Sequence, residues 1–126
     1  MKENKVIICV DDEHIVLTSL ASVLHRNLGK SFEFEFVRSG QEALELLNEL
    51  NAEMLVAVVI SDWMMPDMLG DQLLSLIKST YPKIKTIILS GQIDHEAKQR
   101  AINGKVVDHF IAKPWDEEEL LDCILS

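Results

Sequence analysis

The sequence predicts an α/β domain, a doubly wound parallel sheet of five strands flanked on both faces by five helices. Three observations carry this. Apolar runs of strand length alternate without a break with segments of helical periodicity, as in repeated strand–helix–strand units. One run, Leu55 to Ile60, is apolar throughout, as a central parallel strand covered on both faces has to be. Three runs also stop at polar residues: Lys5 to Val10 at Asp11-Asp12-Glu13, Val59-Ile60-Ser61 at Asp62, and Ile84 to Leu89 at Ser90-Gly91. Ligands of open α/β sheets bind outside the carboxyl ends of the strands, so this repetition gathers polar chemistry at one mouth.

Each element has its own justification. After the first strand, Val16, Leu20, Val23, Leu24 and Leu28 make one apolar helix face that Gly29 ends. Phe32, Phe34 and Phe36 then alternate with Glu33 and Glu35, so the second strand has a wetter face and is expected at an edge of the sheet. Ser39 and Glu42 have capping-box spacing ahead of the stripe Ala43, Leu46, Leu47 and Leu50. The run from Leu55 to Ile60 is expected to be the deepest strand. Leu73, Leu74, Leu76 and Ile77 give the third helix a buried side from a start near Gly70, and Pro82 forbids its continuing past Tyr81. The fourth helix, about Asp94 to Asn103, offers only Ile93, Ala97, Ala101 and Ile102 to a core before Asn103-Gly104 caps it. So little buried area lets it shift cheaply. Val106 to Ile111 is the fifth strand, and Asp116 with Glu119 caps a last helix whose inner side is Leu120, Leu121, Ile124 and Leu125.

Composition sets the limits. A chain of 126 residues, 48% hydrophobic, fits one core and buries about two-thirds of its unfolded surface. With 21 acids against 12 bases the net charge is -9, which argues against a nucleic-acid groove, because phosphate contacts need clustered Lys and Arg. Cys9 and Cys123 lack metal-ligand spacing and read as reduced core residues of a cytoplasmic protein. No apolar run reaches the roughly 20 residues that span a bilayer, and Met1 to Asn4 leads directly into a strand, leaving no room for a signal peptide. No membrane association is expected.

The predicted mouth holds Asp11, Asp12 and Asp62 together, and mutual repulsion raises at least one of their pKa values unless a cation neutralises them. Hard carboxylate oxygens suit Mg²⁺, which commonly bridges protein carboxylates to a phosphoryl oxygen. With the metal and Lys113 offsetting phosphoryl charge, one aspartate can attack phosphorus and become an acyl phosphate. Asp62, alone on its strand tip, is the best candidate, whereas the adjacent pair Asp11-Asp12 is suited to chelating one ion. Taken singly, Asp11 or Asp62 would be read as a cap or turn residue, Ser90 as a capping hydroxyl, Lys113 as a solvated lysine and Phe110 as core. Their coincidence reverses that reading. His14, His25, His95 and His109 show no ligand spacing, and Glu117, Glu118 and Glu119 complement the positive end of the last helix.

Asp11-Asp12-Glu13, Asp62 followed by Pro66 and Gly70, Ser90-Gly91 and Lys113-Pro114 together resemble the receiver domain of bacterial two-component response regulators, over essentially the whole chain. The resemblance implies a sheet of order 2-1-3-4-5. It implies Asp62 as phosphoacceptor, Asp12 as direct Mg²⁺ ligand, Asp11 as a partner acting through water, and the Met64 backbone carbonyl as a further ligand. It assigns Ser90 and Lys113 to the phosphoryl group, Ser90 and Phe110 to a switch, and a cis bond to Lys113-Pro114. Met64 and Gln92, two beyond the aspartate and two beyond the hydroxyl, flank the attacking water in that family. Neither is a strong base here, so slow self-dephosphorylation is expected. Gly91 leaves the entrance beside Ser90 open.

The function implied is phosphorylation-dependent signalling. A histidine kinase, a phosphotransfer protein or a small acyl phosphate donates to Asp62, and the surface of the fourth helix, fifth strand and last helix changes toward an unidentified output domain or effector, or a second copy of the chain. Such a domain catalyses its own phosphorylation and dephosphorylation and turns over no separate metabolic substrate. The chain is expected to be a single receiver domain, 1–126, excised from or N-terminal to a larger protein. Two enzyme or cofactor alternatives fail locally. A flavodoxin-like binder needs Gly, Ser and Thr amides where Asp11-Asp12-Glu13 would repel phosphate, and a phosphatase of the haloacid dehalogenase type needs an acid where Met64 stands. The serious alternative is a docking module that keeps the fold and uses its surface without phosphorylation, and the intact set Asp11, Asp12, Asp62, Ser90 and Lys113 speaks against it.

Overall fold

Strands with no wet face need cover on both sides, and the chain supplies it by sending alternate residues of each strand to opposite helical layers. The computed structural model describes residues 4–50, 52–91 and 95–126. Its strands are β1 (Lys5–Val10), β2 (Phe32–Val37), β3 (Val56–Asp62), β4 (Lys85–Ser90) and β5 (His109–Ala112), all parallel, in the order β2-β1-β3-β4-β5. The helices are α1 (His14–Leu28), α2 (Gly40–Glu49), α3 (Ala52–Leu55), α4 (Gly70–Thr80), α5 (His95–Asn103) and α6 (Glu117–Leu125). From β1, Val6, Ile8 and Val10 enter the layer built with α2, α4 and α5, while Ile7 and Cys9 enter the layer built with α1 and α6. The predicted architecture and the edge position of β2 are both found. Both cysteines are free: Cys9 is buried, which holds its thiol well above the ordinary value, and Cys123 is half-buried.

Several local readings need correction. The inner stripe of α1 is Leu17, Leu20, Leu24 and Leu28, with Val16 and Val23 at its margin, because the helix starts at His14 and residues 17, 20, 24 and 28 share one face. In α4, Leu73, Leu74 and Ile77 are buried but Leu76 is 51% exposed, lying about 110° round the helix from the middle of that stripe. Leu125 is likewise exposed, one step off the Leu120–Ile124 face. Leu55 closes the one-turn helix α3 rather than opening β3, and β5 begins at His109 instead of Val106.

Caps follow the sequence more closely. Ser39 Oγ accepts from the Glu42 amide at 3.1 Å, and Asp116 Oδ1 accepts from the Glu119 amide at 3.0 Å. The Glu42 carboxylate reaches one residue further back than a capping box requires, accepting from the Arg38 amide at 2.8 Å. Glu117 does more than face a helix end: its carboxylate takes Arg26 through both oxygens at 2.8 Å, joining α6 to α1. For α5, Ala101 is buried and Ile102 exposed, while Ile93, Asp94 and the side chain of Ala97 lie outside the described residues.

The end of α5 also differs from the expected glycine cap. Gly104 donates to the Arg100 carbonyl at 2.9 Å, but the residue with positive φ is Lys105, at 58°. A β-carbon in the left-handed region costs roughly 1–2 kcal/mol, partly offset in a glycine by its greater freedom when unfolded. Lys105→Gly is therefore expected to stabilise the fold by about 0.5–1 kcal/mol, read as a higher urea midpoint at unchanged slope.

Candidate functional site

Parallel register assembles the site. Val10 lies opposite Ser61, so the next residues, Asp11 and Asp62, emerge side by side. Asp62 pairs with Leu89 and Leu89 with Ile111, which sets Ser90 one step and Lys113 two steps beyond the acidic pair on the next two strands. These positions need no loop to find one another, because the buried faces beneath them fix the register.

Of the side chains that the sequence singled out, the structure brings Asp11, Asp12, Asp62 and Lys113 together. Ligand oxygens of Asp11, Asp12 and Asp62 all lie within 4.8 Å of one another. Asp11 and Asp62 are buried and Asp12 is half-buried. Lys113 Nζ donates to Asp62 Oδ1 at 2.9 Å and to Asp11 Oδ2 at 3.0 Å. The Lys113-Pro114 bond is cis, and the Lys113 amide donates to the Ser90 carbonyl at 2.8 Å. Ser90 is buried, and a β-carbon built on Gly91 beside it meets no described atom within 4 Å. Met64 is 62% exposed at the mouth, whereas Met65 is core. Gln92 lies outside the described residues.

Electrostatics follow from this packing. Burial, joined by the charges of Asp11 and Asp12, holds the Asp62 carboxyl above its ordinary value of 3.8 although Lys113 pulls it down. Burial works against the Lys113 ammonium, but its bonds to Asp62 and Asp11 outweigh it and hold the pKa above 10.5. Three carboxylates against one ammonium leave about two negative charges, which a divalent cation with a taste for hard oxygen ligands would neutralise. The donor set therefore fits such a metal.

Some contacts had no sequence signal. Phe110 is half-buried, its ring 5.2 Å from that of Trp63 and 5.6 Å from Lys98 Nζ, so the aromatic of β5 touches the residue after Asp62. Gly70 packs its amide on the Trp63 carbonyl at 2.7 Å, and a β-carbon there would collide with the carbonyl oxygen of Asp62 itself. Asp67 does not cap its own helix. Its carboxylate accepts from the amides of Gly40 and Gln41 at the start of α2, and although slight burial opposes them, these bonds hold it below the ordinary carboxylate range. Partners 26 and 27 residues apart leave no local pattern to read.

A doubly wound parallel sheet that carries an acidic, cation-ready cluster and a lysine at the carboxyl edge of its strands defines a receiver-type signalling domain. The chain belongs to the response regulator receiver domain family, whose model matches residues 7–125. It is similar to the hydrogenase transcriptional regulatory protein HoxA of Cupriavidus necator, 30% identical over 94% of this chain and 23% of that protein. It is also similar to the sensor kinase CckA of Brucella abortus, 32% identical over 94% of this chain and 12% of that protein. The chain thus spans less than a quarter of either relative. Among solved structures, the signal receiver domain of an HD domain-containing protein from Pseudomonas fluorescens superposes with a TM-score of 0.86 at 31% identity, covering 98% of this chain and 93% of that one. No helix among the described residues is long and apolar enough to cross a membrane.

The sign of the Asp62 shift generates a test. A carboxyl whose folded pKa is raised stabilises the fold below its unfolded pKa and loses that contribution as pH rises through the folded value. Metal-free Asp62→Asn is therefore expected to show a higher urea midpoint than the native chain at pH 7, the gap closing as pH falls toward 4. An Asn variant less stable than native at pH 7 would mean that the Lys113 bond outweighs burial.

Proposed function

We propose that this chain accepts a phosphoryl group on Asp62 in a Mg²⁺-dependent reaction and uses it to change a partner-facing surface. The observation that carries the reading is the meeting of Asp62 with Lys113 at 2.9 Å inside a cluster of three carboxylates. In the proposed reaction an Asp62 oxygen attacks phosphorus, and the bond to a phosphohistidine nitrogen or an acyl phosphate oxygen breaks, its electron pair leaving with the donor. Water later cleaves the new P–O bond, releasing inorganic phosphate and restoring the carboxylate. Asp11, Asp12, Asp62 and the Met64 carbonyl would hold the ion. When bound, it supplies positive charge against the phosphoryl oxygens. Lys113 adds an ammonium already aimed at Asp62, and the Ser90 hydroxyl adds a donor from the neighbouring strand end.

Drawing Ser90 and Lys113 toward a phosphoryl group releases the Asp11–Lys113–Asp62 bridge and biases the loop after β4. Phe110, its ring tilted against that of Trp63, then follows and reshapes the face of α5, β5 and α6. The partners of this reading are a histidine kinase or phosphotransfer protein as donor, and an output domain, effector or second copy of the chain on that face. In this reading the chain is a receiver module working in the cytoplasm.

The reading is tested by intact-mass measurement after incubation with a small acyl phosphate and Mg²⁺. Native protein is expected to gain one phosphoryl group, and neither Asp62→Asn nor a chelator-treated sample should. Native protein that stays unmodified would sink the proposal. With Met64 exposed and apolar at the mouth, the phosphoryl group is expected to be long-lived. Met64→Asn, which can orient water, should shorten its half-life several-fold, and equal half-lives would remove Met64 from that role.

A further inference from the structure

The two loops that carry the proposed metal ligands are tied to one short segment, residues 37–41, which ends β2 and opens α2. On the β1–α1 side the Asp11 amide donates to the Val37 carbonyl at 3.1 Å, and Arg38 Nη2 donates to the Asp12 carbonyl at 3.1 Å. On the β3–α4 side Asp67 spreads its carboxylate over the first turn of α2, Oδ1 accepting from the Gly40 amide at 3.2 Å and Oδ2 from the Gln41 amide at 2.9 Å. Contact there is tight, since a β-carbon on Gly40 would fall 2.5 Å from Met68 Sδ. A helix leaves four amides without internal partners at its start, and in α2 Asp67 takes two while Ser39 takes a third. Meanwhile α4, the helix that follows Asp67 in the chain, has Leu69 at its N-cap with no side-chain acceptor. The nearby carboxylate is given to a distant helix instead of the adjacent one, and the result is a bridge between both ligand loops.

We propose that Arg38 and Asp67 are positioning residues for the metal centre, setting through the first turn of α2 the distance between the loop of Asp12 and the loop of Met64, and so the affinity for the divalent cation. The inference rests on the Mg²⁺ reading of Asp11, Asp12 and Asp62 given above. Loss of a group that orients a metal ligand from outside the coordination shell typically weakens metal binding about ten- to a hundredfold. Charge and position make opposite demands at Arg38. Removing a cation from beside an acidic centre tightens metal binding by Coulomb's law, whereas loosening the Asp12 loop weakens it.

The test is calorimetric titration of the full chain with Mg²⁺, without phosphodonor, beside thermal unfolding in chelator. Arg38→Met and Asp67→Asn are each expected to raise the Mg²⁺ dissociation constant about tenfold, the low end for outer partners of metal ligands. Arg38→Met should leave the metal-free melting temperature within about a degree of native, because its exposed bond adds little stability. Unchanged or tighter Mg²⁺ binding in Arg38→Met overturns the proposal. So does an Asp67→Asn variant that melts lower yet binds Mg²⁺ as native does, which would make Asp67 a cap of α2 and nothing more. Asp12→Asn serves as the control that separates the two levels. If it binds Mg²⁺ like the native chain, or the native chain binds none, the magnesium reading fails and this inference with it. If Asp12→Asn loses binding while Arg38→Met and Asp67→Asn keep it, only the positioning role falls.

Discussion

Like charge held in place against its own repulsion is the constraint on which this molecule turns. Asp11 and Asp62 are buried on adjacent strand ends, Asp12 stands beside them, and their oxygens lie within 4.8 Å of one another. In a flexible loop such groups would move apart into water. Here they stay, because the strands beneath them are clamped by residues such as Ile7, Ile8, Val59 and Ile60, each at most 1% exposed and each contributing about 1.5–3 kcal/mol by burial. The hydrophobic layers thus do the work that keeps the cluster available, and Lys113 relieves only part of its charge.

That division of labour explains where the fold is rigid and where it is not. β1, β3 and β4 form the centre of the sheet and carry Asp11, Asp62 and Ser90. α5, by contrast, buries Ala101 and leaves Ile102 exposed, and its end at Lys105 is strained. A hydrogen bond to a charged group is worth roughly 1.5–3 kcal/mol, far less than the burial that holds a central strand and comparable with what holds a lightly packed helix. A change of charge at the strand tips is therefore too small to move the frame that carries the tips.

How much of this was legible in the sequence depended on the range of the interaction. The sheet, its buried centre, the meeting of Asp11, Asp12, Asp62 and Lys113 and the strand-end place of Ser90 are readable because strand period and strand ends are local patterns, and parallel register then aligns the ends automatically. The finer errors share one cause. Val16 for Leu17, Leu76 as core and Gly104 as the left-handed cap all came from assigning a helix face or end one residue out, which periodicity alone does not fix. Other features were beyond local reading altogether. The bridge from Asp67 to Gly40 and Gln41 joins segments 26 and 27 residues apart, and the Trp63–Phe110 contact joins β3 to β5 across β4.

Those long-range contacts fall at the loops, and the reason is physical. Strand tips inherit their positions from the core, but the loops that continue from them have no apolar face of their own and must be fixed by hydrogen bonds to whatever lies alongside. The loop after β1 finds Val37 and Arg38, and the loop after β3 finds the open amides of α2. Both anchor on the same turn because β2 and α2 flank β1 on the side away from β4, whose strand end carries Ser90. The site is thereby asymmetric by construction of the sheet: its acidic loops are tied to the β2 edge, and Ser90 and Lys113 lie toward the β5 and α5 edge.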